Sequence, residues 1–170
     1  MEAAKQTAVE IPSRVRQQFF APQDTLDHPF DVTLVVEDGK EFKAHRDILS
    51  EASPFFEKLF NSDMKESNEG LIRLEMFTEA SLSDILEFMY SHIVQITAED
   101  NARDLIAMAD YLVLPHLKTI AGKFLAQKLN ASNSISTYHL AERFRCDELI
   151  SDTKNFIFEN FAAVAATEDF

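Results

Sequence analysis

The clearest pattern of apolar and polar positions begins at Asp31. In Asp31-Val32-Thr33-Leu34-Val35-Val36-Glu37, the side chains of Val32, Leu34 and Val36 fall on one face of a β-rich run. That spacing predicts a half-buried strand. Asp38-Gly39 follows, a pair favoured in two-residue hairpin turns, where both central positions need positive φ. Lys40-Glu41-Phe42-Lys43 then alternates as a returning strand.

From about His45 the period becomes helical. Ile48 and Leu49 share a short helix, and Ser53-Pro54 restarts the chain with an N-cap and a proline at the first helical position. The next helix is expected to bury Phe55 or Phe56, Leu59 and Phe60. A polar loop, residues 61–68, leads to a strand at Leu71-Ile72-Arg73-Leu74. Leu82, Ile85, Leu86 and Met89 keep amphipathic spacing behind a Thr78 cap. Ile93-Val94-Gln95-Ile96 is expected as a short strand. Leu105, Ala109 and Leu112 mark a helix stopped before Pro115, and Leu117, Ile120, Ala121, Phe124 and Leu125 mark the next. Beyond Asn130-Ala131-Ser132-Asn133, one helix carries Ile135, Tyr138 and Ala141, and another carries Leu149, Thr153, Phe156, Ile157 and Phe161. Ahead of the hairpin, Val9 and Ile11 suggest an extended segment, Ser13 to Phe20 a short helix, and Pro22 to Pro29 a loop. The order defines an α+β class, with a small early sheet and helices dominant late.

Composition narrows the functions. In 170 residues, 16 Lys and Arg stand against 29 Asp and Glu, a formal charge of −13. Such a chain is poorly suited to a phosphate backbone or an anionic membrane surface. Three scattered glycines exclude a P-loop and a Rossmann fingerprint, and one cysteine excludes an internal disulfide framework and a Cys-based zinc site. No apolar run approaches a membrane span, and the first residues lack a signal-peptide core. An intracellular protein without nucleic-acid or membrane partners is expected, cytoplasmic with the nucleus as a second compartment. Fifteen phenylalanines and no tryptophan suggest a core built on Phe.

Catalytic and metal chemistry find little support. The five histidines form no H-E-x-x-H pair, and no G-x-S-x-G elbow holds a serine. No catalytic residue, metal or cofactor is expected. Cys146, beside Arg145, is a redox candidate through a neighbouring cation; the simpler reading is a half-buried residue at a helix junction. His45 reads as a structural histidine bonded to nearby backbone. In the polar loop, Met64 is a large apolar residue that either folds into the core or serves as a docking knob, a use suited to its flexible thioether. Glu66 adds a charged contact or is simply solvated.

Phe30 to Val36, followed by Phe42-Lys43-Ala44-His45-Arg46-Asp47-Ile48-Leu49 and Ser53-Pro54-Phe55-Phe56-Glu57-Lys58-Leu59-Phe60, resembles the BTB/POZ domain. Ile85-Leu86-Glu87-Phe88-Met89-Tyr90-Ser91 and Ala107-Met108-Ala109-Asp110-Tyr111-Leu112 resemble later helices of that family. Leu140 to Leu149, with Phe156-Ile157 and Asn160-Phe161, resembles the three-box that opens the BACK domain of Kelch-like proteins. Thr167 to Phe170 looks like the point where BACK would continue. The resemblance implies a BTB/POZ fold, a sheet of three to five strands flanked by helices, followed by an all-α extension. It implies an N-terminal dimerisation strand and helix over 1–29, BTB/POZ over 30–129, and the three-box start of a BACK domain over 130–170.

It further implies a non-catalytic substrate adaptor of a cullin-3 ubiquitin ligase. Met64-Lys65-Glu66 matches the family's φ-x-E cullin motif, with Phe60, Asp63 and Tyr111 beside it, and the helices from Leu117 to Phe161 would form a second groove for cullin-3. Homodimer contacts would include Val15, Phe19, Phe20, Asp31, His45 and Leu49. A substrate protein would be held by a domain absent from this chain. The alternatives are a BTB transcriptional regulator recruiting corepressors and a plain oligomerisation module. Three departures stand out: Phe30 where Kelch-like chains usually have Cys, a long link from Ala21 to Pro29, and His92 in place of a glycine.

Overall fold

The computed structural model describes residues 29–62 and 70–167. The extended segment and helix expected before Pro29, and the Asp63 to Glu66 stretch of the loop, lie outside the described residues. The chain divides into two compact units between Gln95 and Ile96.

The first unit carries β1 (Val32–Val36), β2 (Glu41–Ala44), α1 (Arg46–Ala52), α2 (Pro54–Phe60), β3 (Leu71–Leu74) and α3 (Glu79–Ser91). The sheet order is β2-β1-β3, with β1 antiparallel to β2 and parallel to β3. Leu34 lies opposite both Phe42 and Ile72, so the register gathers the apolar face predicted from alternation. Leu34, Phe42, Phe56, Phe77, Leu82, Ile85 and Leu86 are fully buried, each contributing roughly 1.5–3 kcal/mol of burial. The core expected to rest on Phe is instead mostly aliphatic: among the described residues only Phe42, Phe56, Phe77 and Phe88 are buried, and α2 seals Phe56 while leaving Phe55, Leu59 and Phe60 half-buried. Val35, off the predicted face, is buried as well.

The helix boundaries follow local chemistry. Ser53 Oγ accepts from the Phe56 N–H ahead of Pro54. Thr78 and Ser81 form a reciprocal capping box at the start of α3. Two expectations change. The hairpin loop has three residues, Glu37-Asp38-Gly39, because Val36 N–H donates to the Lys40 carbonyl at 3.1 Å and Gly39 N–H to the Val36 carbonyl at 2.9 Å. Only Gly39 has positive φ, at 81°, the pattern of a turn closed by one left-handed residue. The strand expected at Ile93 to Ile96 does not form. Ser91 Oγ accepts from the Ile93 N–H at 3.1 Å and ties that residue to the end of α3; alternation without a neighbouring edge does not make a strand.

The second unit is helical: α4 (Glu99–Tyr111), α5 (Pro115–Gln127), α6 (Ser134–Arg143), α7 (Asp147–Glu159) and the short α8 (Phe161–Val164). Ala102, Leu105, Ile106 and Ala109 of α4, and Leu117, Ala121 and Leu125 of α5, are buried. Ile120, assigned to the same stripe, is exposed, and so is Phe161, which opens α8 instead of extending α7. Gly122 of α5 faces α7, and a Cβ placed there would meet the Leu149 Cβ at 3.8 Å, an ordinary contact that alanine would also satisfy. Asn130 Oδ1 accepts from the Ser132 and Asn133 N–H groups, closing the turn before α6.

Candidate docking site

The candidate loop is framed by two anchors in the first unit. At its start, α2 ends on Phe60, whose ring lies 5.1 Å from the Arg46 guanidinium carbon. At its end, Gly70 has φ +68°, and its carbonyl accepts from the Thr33 N–H at 2.8 Å. A Cβ at Gly70 would meet the Asp31 carbonyl oxygen at 3.5 Å and Arg46 Nη2 at 3.6 Å, both ordinary contacts, so it is the left-handed backbone that calls for glycine here. Arg46 thereby stands at both ends of the loop. Its backbone N–H donates to Asp31 Oδ1 at 2.8 Å and its Nε to the Asp31 carbonyl at 3.3 Å. Sequence reasoning passed over this role for Arg46; its place after Ala44-His45 was the available sign.

His45 and Leu49, candidate dimer residues, are buried within the first unit, while Asp31 is exposed. Leu49 is fully buried and can support an interface only from beneath. The His45 N–H donates to the Tyr90 hydroxyl at 3.0 Å, and His45 Nδ1 lies 2.9 Å from the same oxygen. The histidine is therefore structural, bonded to a side chain from α3. Burial, the largest influence, pushes the Tyr90 hydroxyl well above its ordinary range; the bond from His45 opposes this, and the Asp47 and Asp31 charges reinforce it.

In the second unit Tyr111 ends α4 and is exposed. The chain then turns through Val113, with φ 56°. Val113 N–H donates to the Asp110 carbonyl at 3.2 Å and Leu114 N–H to the Ala109 carbonyl at 2.7 Å, the paired bonds of a Schellman ending. The same ending closes α6, where Arg145 has φ 53° and Cys146 N–H donates to the Ala141 carbonyl at 2.9 Å. Lys118 ties these corners together, with Nζ 2.9 Å from both Asp110 Oδ1 and the Phe144 carbonyl.

A groove of about 310 Å³ lies between α5 and α7. Lys118 and Lys123 border it from α5, Asp147, Glu148 and Asp152 from α7, and Gly122 and Leu149 also line it. Cys146 lines the same groove at the head of α7. Burial raises its thiol pKa most; Lys118 pulls it down, and Asp110 and Asp147 push it up. The half-buried, junction reading of Cys146 holds, and the net raised pKa removes the electrostatic basis of the redox alternative. Among the described residues no cluster of side chains is suited to hold a metal ion, and no helix is long and apolar enough to cross a membrane.

A three-stranded sheet bearing helices, continued by a helical extension, is the α+β arrangement of a BTB fold. A BTB/POZ family model matches residues 20–129, and the chain belongs to that family. It is similar to human and mouse Kelch-like protein 21, 35% identical over 138 residues, covering 81% of this chain and 23% of those proteins. Kelch-like protein 40 of Xenopus tropicalis is 31% identical over 149 residues, 87% of this chain and 24% of that one. The solved BTB domain of human gigaxonin is 28% identical, with a TM-score of 0.53, over 69% of this chain and 96% of that domain. The chain spans about a quarter of the length of these curated relatives.

Proposed function

We propose that this chain is the dimerising, cullin-docking part of a non-catalytic substrate adaptor for a cullin-3 ubiquitin ligase. The observation that carries the reading is the similarity to Kelch-like proteins over 138 residues, a longer stretch than the BTB match at 20–129. Corepressor-recruiting and purely oligomeric modules would need only the BTB part. Met64 and Glu66 make the primary contact, inserting an apolar knob and fixing the loop, with Lys65, Asp63 and Phe60 around them and Tyr111 as a further contact. The α5–α7 groove, basic on one side and acidic on the other, takes an extended segment of cullin-3. Val15, Phe19 and Phe20, with Asp31 and His45 nearby, form the homodimer interface, and the cytoplasm is the expected location. The adaptor acts by proximity, raising the local concentration of substrate lysines near a ubiquitin-charged enzyme.

Calorimetric titration with the cullin-3 N-terminal domain tests this reading. The chain should bind at one site per protomer. Met64→Ala with Glu66→Ala should weaken binding by about 2–4 kcal/mol without changing the melting temperature. No heat from a folded wild-type chain would shift the reading to corepressor recruitment or oligomerisation alone.

A further inference from the structure

A hydroxyl that a kinase can modify must be free, must sit on backbone that a substrate cleft can hold, and must have neighbours whose charge complements that cleft. Three hydroxyl residues of this chain have a carboxylate three positions on: Thr7 before Glu10, Ser81 before Asp84, and Thr97 before Asp100. Thr7 lies outside the described residues. Ser81 is 6% exposed and closes the capping box of α3. Its Oγ donates to the Thr78 carbonyl at 3.1 Å and accepts from the Thr78 N–H at 3.0 Å, so this hydroxyl is both covered and engaged. Thr97 differs on each count. It is exposed, and among the described residues no hydrogen bond engages its hydroxyl. Residues 93–97 form neither helix nor strand, and Ala98 is extended, with φ −145° and ψ 159°. Glu99 places a second carboxylate two positions after Thr97.

We propose that Thr97 is a phosphorylation site for a serine/threonine kinase with a basic substrate cleft, which Glu99 and Asp100 address. Transfer forms the bond between Thr97 Oγ1 and the γ-phosphorus of ATP and breaks the bond from that phosphorus to the departing ADP; the hydroxyl proton passes to the catalytic carboxylate of the kinase. The product carries about −1.5 to −2 charges at neutral pH. Repulsion from Glu99 and Asp100 opposes that charge, and the start of α4 favours it. Ala98 gives α4 no side-chain cap, and a phosphate on the preceding residue stands at the positive end of the helix dipole. The site is independent of the adaptor reading.

The test incubates the full chain with casein kinase 2, an acid-directed enzyme, and ATP, and maps the phosphate by fragmentation mass spectrometry. The folded wild type should take one phosphate, on Thr97. Thr97→Val should take none at that position, and Thr97→Ser should be modified like the wild type. Glu99→Gln with Asp100→Asn should slow the reaction about tenfold; glutamine keeps an oxygen for the Asn133 amide, which donates to Glu99 at 3.0 Å, so the melting midpoint should hold. A folded wild type that takes no phosphate would overturn the assignment, as would phosphate on Thr7 or Ser81 with Thr97 unmodified. Modification that appears only in heat-unfolded chain would overturn it too, because the exposed, extended segment would then not be what the kinase reads. An unchanged rate in the Glu99, Asp100 variant would overturn the acid-directed class.

Discussion

Among the described residues, the left-handed backbone positions of the first unit belong to Gly39, Gly70 and His92, and those of the second to Val113 and Arg145. The first unit fully buries Phe42, Phe56 and Phe77, whereas the second leaves Phe158 86% exposed and buries only Leu149 and Thr153 from all of α7. Glycine holds two of the three left-handed positions in the first unit and neither of the two in the second, where Val113 and Arg145 close the helices instead. Both units leave some apolar side chains outside, Met76 and Ile93 in the first and Ile120, Phe158 and Phe161 in the second. The difference between the units therefore lies in how their turns are made and in how much aromatic surface each encloses.

The largest effect expected from this contrast is in the first core. Phe56→Ala should destabilise by about 3–5 kcal/mol, read by denaturant unfolding, whereas Phe158→Ala, at an exposed position of α7, should stay within about 0.5 kcal/mol. Equal losses would mean that the second unit is as tightly packed as the first. Next in size is Tyr90→Phe, which removes the hydroxyl that accepts from the buried His45 N–H. A loss of about 2 kcal/mol is expected, and an unchanged midpoint would show that this bond is dispensable.

The sheet and most helices were legible because each is specified locally. Val32, Leu34 and Val36 needed only the period of a strand, and Ser53-Pro54 and Thr78 announced helix starts. Ile93 to Ile96 alternates equally well, yet a strand also needs a neighbour, which alternation does not encode. The turn at Asp38-Gly39 was misjudged by one residue because the dipeptide fits two loop lengths. Met64-Lys65-Glu66 is visible as a motif in the sequence, whereas the left-handed backbone at Val113 is not: nothing in Leu112-Val113-Leu114 reveals it until helix packing fixes the leucines. The scarcity of glycine was the available hint, since helices that lack it must end on something else.

Smaller effects sharpen the contrast inside the second unit. Gly122→Ala places a methyl at ordinary contact distance from Leu149 and should stabilise α5 by about 0.5–1 kcal/mol. If the α5–α7 groove takes a segment of cullin-3, the same change should alter its affinity, and a more stable chain with unchanged affinity would argue against use of that groove. The smallest effect concerns Cys146. Its pKa is raised on folding, so the stability it contributes is complete below the ordinary thiol value of 9.0 and declines as pH rises through the folded value. Alkylation rates against pH should give an apparent pKa above 9.0; a value below it would restore the activated-thiol reading.

Light scattering on a mixture of this chain with the cullin-3 N-terminal domain tests the central claim most directly. The account predicts one complex with the mass of two chains and two cullin domains. A folded dimer eluting apart from free cullin-3 would contradict it.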